Sequence, residues 1–336
     1  FKAPISAIPR TNLWLRTADR VKLIVDEHKV ESFEQLYDWI NHLPWEQFIP
    51  EDGQFPVIGK SHQSKLFSVS DCQSITKKAI VDRLKQKHGV AHRMPETGAL
   101  YRVEIALLKD MATVTIDTSG VGLHKRGYRV GQGEAPLKET LAAALILLTN
   151  WRPDDLFIDP MCGSGTIPIE AALIGQNIAP GFNRNFASEQ WNLVPEKLWN
   201  RAFEEAEDLA SYDQELRIIG SDIDHRMINI SKENASEAGL ADLISWKQMQ
   251  LRDLHIQEKE GYLVSNAPYG ERLKDEDYVV FLYKTLGNIM KQHPSWSVYI
   301  LTAYKQFEKA YGKRATRKRK LFNGFIETDY YQYFGK

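Results

Sequence analysis

A chain of 336 residues, at roughly 100 to 200 residues per domain, holds two domains or three. Its 43% hydrophobic and 26% charged residues match an ordinary folded protein and exclude a disordered or collagen-like chain, and its longest apolar run, 141–148, is far short of the ~20 residues that cross a bilayer. The two distant cysteines, Cys72 and Cys162, cannot build a zinc site or a disulfide framework and favour a reducing, cytoplasmic setting, while the net charge of -1 hides two basic stretches and an acidic one.

The chain opens on Phe1 rather than methionine, so its natural start is expected upstream. The first 50 or so residues read as a smaller subdomain. In 71–88, Ile75, Ala79, Ile80 and Leu84 recur at helical spacing behind Ser70 or Asp71 as a cap, which predicts an amphipathic helix. Lys77, Lys78, Lys85 and Lys87 take other positions on it, and 60–102 holds nine Lys or Arg against three Asp or Glu. Residues 101–107 alternate apolar with polar, a second run follows at 112–116, and Lys109-Asp110 between them predicts a hairpin. Through about Arg129 the chain thus reads as a mixed α and β module with no catalytic cluster.

The Gly-rich segment 131–134, ahead of Ala135-Pro136, marks a domain boundary, and a helix is predicted over 137–150. Apolar strand candidates at 156–159, 218–223, 243–249, 262–266 and 298–303 then alternate with helical segments, the pattern of a doubly wound parallel sheet whose ligands bind at the carboxyl ends of its strands. Segments 318–322 and 325–334 flank Asn323-Gly324, a strong hairpin signal, so an antiparallel edge is expected. Residues 305–320 carry eight bases against Glu308, and 196–217 seven acids against three bases. Two separated basic surfaces point to a polyanionic partner, although either alone reads equally well as a solvated face.

The segment FIDPMCGSGT, 157–166, ends a strand at Asp159 and opens a helix through a glycine-bearing turn. Gly163 and Gly165 permit close backbone approach, and the helix N-terminus offers amide donors to a carboxylate or phosphate. A dinucleotide fits poorly: Pro168 stands where the third glycine of G-x-G-x-x-G belongs, and the next strand-terminal acid, Asp222, comes much later than that fingerprint requires. Asp159 would repel a phosphate and welcome an ammonium group, and Asp222 is placed to hold ribose hydroxyls. Together they suggest S-adenosylmethionine, with a purely structural glycine turn as the alternative.

Farther on, LVSNAPYG places Asn266, Pro268 and Tyr269 at the end of a later strand. An exocyclic amine on a nucleobase is a poor nucleophile because its lone pair is delocalised into the ring. The Asn266 carboxamide oxygen and the Ala267 backbone carbonyl can hold such an amine and accept its protons, Pro268 stiffens the turn, and Tyr269 can stack on the base. Alone, this turn is as often a structural loop; after a cofactor turn it becomes specific. Cys162, lying within the cofactor turn, reads as a small packing residue. Arg226 and a missing glycine defeat a calcium loop at Asp222 and Asp224, and the nine histidines lack metal spacing, so no metal is expected and His225 and His255 read as surface or packing residues.

FIDPMCGSGTIPIEAAL, GLHKRGYR, APLKETLAAA and NAPYGERL together resemble the THUMP-domain RNA guanine 2-amino methyltransferases over nearly the whole chain, most closely the bacterial 23S ribosomal RNA enzyme, whose relatives are often labelled adenine-specific DNA methylases. The resemblance implies an α/β chain with a partial ferredoxin-like subdomain in 1–50, a THUMP RNA-binding domain in 51–133 and a Rossmann-like class I methyltransferase domain in 134–336. It implies that Asp159, Cys162, Gly163, Gly165 and Thr166 line S-adenosylmethionine, that Asp222 holds its ribose, and that Asn266, Pro268 and Tyr269 face the target base. Gln250 stands where the family commonly has an acid on the adenine amino group, and its side-chain oxygen can accept the same bond. Ala267 replaces the more usual first proline of the turn, with its carbonyl still available.

Some larger relatives append a second methyltransferase, whereas this chain stops after its terminal hairpin, which implies a single activity. The expected function is methyl transfer from S-adenosylmethionine to the 2-amino group of a guanine in RNA, above all 23S ribosomal RNA. The alternatives are an adenine 6-amino methyltransferase on RNA or DNA, or a non-enzymatic RNA-binding assembly factor. Structured RNA is the expected partner, no membrane is, and a homodimer is allowed. The run KRATRKRK, 313–320, is read as an RNA-contacting edge ahead of a localisation-like signal or a solvated strand.

Overall fold

Helix α1 (Ala7–Trp14), strand β1 (Lys22–Lys29), helix α2 (Phe33–His42), strand β2 (Val57–His62), helix α3 (Val69–His88) and strands β3 (Val103–Leu108) and β4 (Met111–Asp117) follow one another in the computed structural model, which describes residues 1–89, 93–131, 137–269 and 276–336. The expected hairpin is β3–β4. Lys109 and Asp110 both take left-handed backbone (φ 52° and 66°), the two-residue turn whose twist matches the strands it joins. The sheet runs β1-β4-β3-β2, antiparallel except for the β2–β3 pair.

Helix α3 starts earlier than its sequence suggests, with Ser68 rather than Ser70 or Asp71 at its N-cap, and it ends on Gly89 in left-handed conformation. It buries Cys72, Thr76, Ala79, Ile80 and Leu84. Much of the positive charge around it is spent inside the unit: Lys60, Lys65, Lys77, Arg83 and Arg102 pair with Glu104, Glu31, Glu96, Glu46 and Asp117. Lys78, Lys85 and Lys87 have no ion pair among the described residues.

These elements belong to one compact unit, residues 1–123 with 184–205; the second comprises 124–183 and 206–336. In the first, the Trp191 ring stacks on Tyr101 at 4.8 Å and its Nε1–H donates to the Leu100 carbonyl, while the Ser188 hydroxyl donates to the Thr118 carbonyl. Residues 184–205 are therefore part of the packing of a unit from which they are distant in sequence.

The second unit contains α4 (Glu139–Leu147), β5 (Phe157–Asp159), α5 (Thr166–Gly175), the end of α6 (Glu196–Leu209), β6 (Ile218–Asp222), α7 (His225–Glu237), β7 (Ile244–Gln248), β8 (Tyr262–Asn266), α8 (Glu276–Lys291), β9 (Ser297–Thr302), α9 (Phe307–Tyr311), β10 (Arg317–Asn323) and β11 (Ile326–Tyr333). Its sheet runs β10-β11-β9-β8-β5-β6-β7; β7 to β9 are parallel and the terminal hairpin adds the expected antiparallel edge. Because successive strand residues face opposite ways, neighbours divide between two cores: Phe157, Val264, Tyr299 and Tyr330 pack on one face, and Ile158, Leu263, Ile300 and Tyr331 on the other. This is the doubly wound α/β architecture anticipated from the sequence. The segment 132–136 of the anticipated boundary, and the tail of NAPYGERL at 270–273, lie outside the described residues.

Candidate functional site

From β5 the sheet grows toward β6 and β7 on one side and toward β8 and β9 on the other. At such a switch point the loops leaving adjacent strands diverge and open a crevice at the carboxyl edge. Asp159 ends β5, Asp222 ends β6 and Asn266 ends β8. A cleft of about 390 Å³, within the size range of small-ligand sites, is lined by Asp222, Gln250, Asn266 and Pro268 among others. Of the residues singled out in the sequence it brings these four together; Asp159, Cys162, Gly163, Gly165, Thr166 and Tyr269 are not in its lining, although Pro160 and Met161 of the glycine turn are.

The glycine turn is held by its own backbone. The amide of Cys162 donates to the Ser221 carbonyl, that of Gly163 to Asp222 Oδ2 at 2.9 Å, and that of Gly165 to the Cys162 carbonyl. These three amides are spent internally and do not supply the free donors expected of the turn. Gly163 and Gly165 adopt φ 53° and 81°. A Cβ on Gly165 would lie 2.6 Å from Trp246 and 3.0 Å from Ser231, whereas one on Gly163 meets nothing within 4 Å. Thr166 opens α5 with its hydroxyl turned to the scaffold, accepting from Arg129 Nη2 at 3.0 Å.

The two aspartates play different parts. Asp222 accepts the Gly163 amide on one oxygen and the Asp224 amide on the other, so each oxygen keeps a lone pair for a ligand hydroxyl. Asp159 is 1% exposed; its Oδ1 accepts from the Ser265 hydroxyl at 2.7 Å and the Met161 amide at 3.2 Å. Burial pushes its carboxyl up to about 7 despite those two bonds, with the charge of Asp222 adding to the rise. A cationic group brought against it would reverse that trend. Burial, and then the same two aspartates, push the Cys162 thiol well above its ordinary value, which makes it a packing residue rather than a nucleophile.

Asn266 is half-buried, and its Oδ1 is buried with no hydrogen-bond partner among the described residues. A buried acceptor left empty costs about 1 to 3 kcal/mol, so its retention at the mouth of a cleft marks a place for a donor. The turn beyond it is fixed: the Ala267 amide donates to the Leu301 carbonyl, and the buried Tyr283 hydroxyl donates to the Pro268 carbonyl at 2.5 Å. Half-buried Tyr269 accepts from Asn323 Nδ2 at 3.2 Å, which ties this turn to the terminal hairpin.

Other parts of the site escaped sequence reasoning. Arg129 bridges Glu139, the Leu137 carbonyl and Thr166, and Asn234 on α7 donates to the Gly131 and Ser164 carbonyls while accepting the Val130 and Gly131 amides. Both are polar residues far in sequence from what they hold, and no local pattern announces them. Tyr278, Phe281, Leu282 and Thr285 form one wall of the cleft from a single face of α8; their spacing of three and four is visible in the sequence and offered the signal. Among the described residues no group of three or more His, Cys, Asp or Glu is placed to hold a metal ion, and no helix is long and apolar enough to cross a membrane.

Residues 126–332 match the model of the RMKL-like methyltransferase domain, 30–117 that of the THUMP domain and 1–22 that of the RlmL ferredoxin-like domain. The chain is similar to "Putative RNA methyltransferase YpsC" of Bacillus subtilis (strain 168), 59% identical over 100% of this chain and 88% of that protein. It is also similar to "Ribosomal RNA large subunit methyltransferase K/L" of Shewanella sp. (strain W3-18-1), 34% identical over 97% of this chain and 47% of that protein, so it spans about half the length of such relatives. Among solved structures, a "predicted N6-adenine-specific DNA methylase" from Listeria monocytogenes superposes with TM-score 0.95 at 58% identity, covering 99% of this chain and 87% of that one. SMU.472, "a putative methyltransferase complexed with SAH", superposes with TM-score 0.94 at 48% identity over 99% and 89%.

Proposed function

The chain belongs to the RMKL-like methyltransferase family, is an S-adenosylmethionine-dependent RNA methyltransferase of that family, and carries a THUMP domain, and from that premise we propose that it methylates the exocyclic 2-amino group of a guanine in large-subunit ribosomal RNA, in the cytoplasm. The observation that carries the reading is the buried, unengaged Oδ1 of Asn266 at the end of β8, in the same cleft as Asp222. The residues present suit the cofactor: Asp222 has lone pairs free for ribose hydroxyls, Gln250 lies beside it in the lining, and the Asp159 carboxyl behind the turn favours a cationic neighbour. S-adenosylmethionine supplies a methyl group on a positively charged sulfur.

The chain's own residues then orient and exclude. Asn266 Oδ1 accepts a hydrogen bond from the guanine amine, and the Ala267 carbonyl offers a second acceptor, which draws the amine out of conjugation with its ring and aims its lone pair into the cleft. Tyr269 stacks on the extruded base, with its hydroxyl held by Asn323, and Pro268 limits the turn. A carboxamide does not keep a proton at neutral pH, so the proton lost by the methylated nitrogen passes to water. The same reading assigns 1–50 to a partial ferredoxin-like subdomain, 51–133 to the THUMP domain and 134–336 to the transferase, with Cys162, Gly163, Gly165 and Thr166 shaping the cofactor turn.

A second reading, methylation of an adenine 6-amino group, is favoured by the description of the Listeria relative and by an Asn266 acceptor that suits either amine. Incubating the full chain with labelled S-adenosylmethionine and undermethylated total RNA, and separately with DNA, distinguishes them. Label recovered as 2-methylamino-guanosine from large-subunit RNA is the expected result. Label in methyladenine transfers the same residues to the second reading, and cofactor binding without transfer to either polymer argues for an RNA-binding assembly factor.

A further inference from the structure

The tip of the β10–β11 hairpin presents two large aromatic rings to solvent: Phe322 is 58% exposed and Phe325 104%. The exposed row of cations leading to it divides into two sets. Alternate residues of β10 face opposite ways. On one face, which Phe322 shares, Lys318 and Lys320 are neutralised by Asp329 and Glu327, with Lys305 joining both acids. On the other, exposed Arg317 and Arg319, together with Arg314 just before the strand, have no ion pair among the described residues, and Arg317 lies over the Phe334 ring. The tip is also joined to the turn that ends in Tyr269, through the Asn323 Nδ2 to Tyr269 Oη bond.

Lys and Arg on an outer strand can be explained as protection against edge-to-edge pairing. That account does not extend to Phe322 and Phe325, because exposed aromatic rings at the end of an edge hairpin invite the association that the charges would prevent. Unpaired guanidinium groups on one face of the strand lead to the unburied Phe325 ring at the turn, and Phe322 extends the aromatic surface on the opposite face of the tip, so a nucleic-acid strand that rounds the tip meets cations for its phosphates and rings for its base faces.

We propose that this hairpin is an RNA-engaging arm: an RNA strand rounds its tip, where Phe325 at the turn and Phe322 on the far face stack on unpaired bases flanking the target nucleotide, and Arg314, Arg317 and Arg319 contact phosphates along the other face. The proposal rests on the reading of the β8 turn as the target-base site, to which Asn323 ties the tip. The occupant is single-stranded or looped RNA, whose bases are free to stack, rather than an intact duplex.

The test uses the full chain, undermethylated ribosomal RNA, and binding measured by fluorescence anisotropy at several salt concentrations beside KM and kcat. Phe322→Ala with Phe325→Ala should weaken RNA binding and raise KM by about tenfold or more, with affinity for S-adenosylhomocysteine unchanged. Arg317→Ala with Arg319→Ala should reduce the slope of log affinity against log salt by roughly 1 to 2. In the parent protein, ultraviolet crosslinking should attach RNA to the peptide that contains Phe322 and Phe325, a readout that does not depend on the variants folding. Parental affinity, salt slope and KM in both double variants, or crosslinks confined to other peptides, would overturn the proposal. Hairpin-dependent binding that prefers DNA would overturn the choice of RNA. Because none of these readouts depends on which base is methylated, a methyladenine product with hairpin-dependent RNA binding would refute the guanine assignment and leave the arm standing.

Discussion

Asn266 carries an acceptor that the described residues leave empty, and the chemistry assigned to it depends on that oxygen alone. Asn266→Ala should reduce methyl transfer about 100-fold or more and leave affinity for S-adenosylhomocysteine within a few-fold of the parent; measuring both on one preparation separates orientation of the amine from loss of the fold. Asp159 makes a prediction about pH. Its carboxyl, raised by burial from 3.8 to about 7, is protonated in the folded chain where the unfolded chain is already ionised, so this group favours folding most below pH 4 and that contribution is lost as pH rises to 7. A ligand ammonium requires the ionised form. Calorimetric titration with S-adenosylhomocysteine should therefore show affinity about tenfold weaker at pH 6 than at pH 8, with proton release near neutrality, and Asp159→Asn should flatten the profile. The placement of Asp159 and Asn266 at the carboxyl ends of strands was legible from residue type and spacing. The burial that displaces the Asp159 titration was not, because burial follows from which distant elements meet; even the Ser265 hydroxyl that bonds the carboxylate and opposes the rise is 106 positions away in the chain.

Among the elements, the β5–α5 turn shows how far sequence alone reaches. Two glycines were evident, yet only the folded turn shows that they answer different demands: Gly163 is needed for its left-handed backbone, Gly165 for that and for the space filled by Trp246 and Ser231. Gly163→Ala should cost about 1 to 2 kcal/mol of stability, and Gly165→Ala about 1 to 3 kcal/mol more from overpacking; urea unfolding of the two variants checks the order. The parallel strands were readable because burial on both faces writes them as short apolar runs, as in Phe157, Ile158, Leu263 and Val264. β1 was not, because it is an outer strand whose residues are at best half-buried and whose register slips between Ile24 and Asp26. The parallel partnership of β2 with β3 was equally hidden, since pairing across α3 leaves no local signal.

For the molecule as a whole, charge counted along the chain overstated what is free to meet a partner. Five of the nine cations in the basic stretch 60–102 are committed to acids of the same unit, which leaves Lys78, Lys85 and Lys87 on α3, and exposed Arg93 beyond it, as its candidates for phosphate contact. Replacing those three lysines with glutamate should weaken RNA binding steeply at low salt and little at high salt, with cofactor affinity preserved; anisotropy at two ionic strengths decides it. Neither the ion pairs nor the division into units could be read locally, since both depend on which distant residues meet. The chain passes from one unit to the other after residues 123, 183 and 205. No single scissile bond can therefore release the THUMP-bearing unit intact. A fragment ending at residue 123 would lack the Trp191 ring that covers Tyr101 and the Ser188 hydroxyl that reaches Thr118. Expressed alone, it should be prone to aggregation and protease-sensitive, and supplying 184–205 through a short linker should restore its resistance. Swapping the THUMP-bearing unit between relatives must accordingly exchange two stretches of gene, and a library of chimeras with one crossover would sample mostly misfolded hybrids.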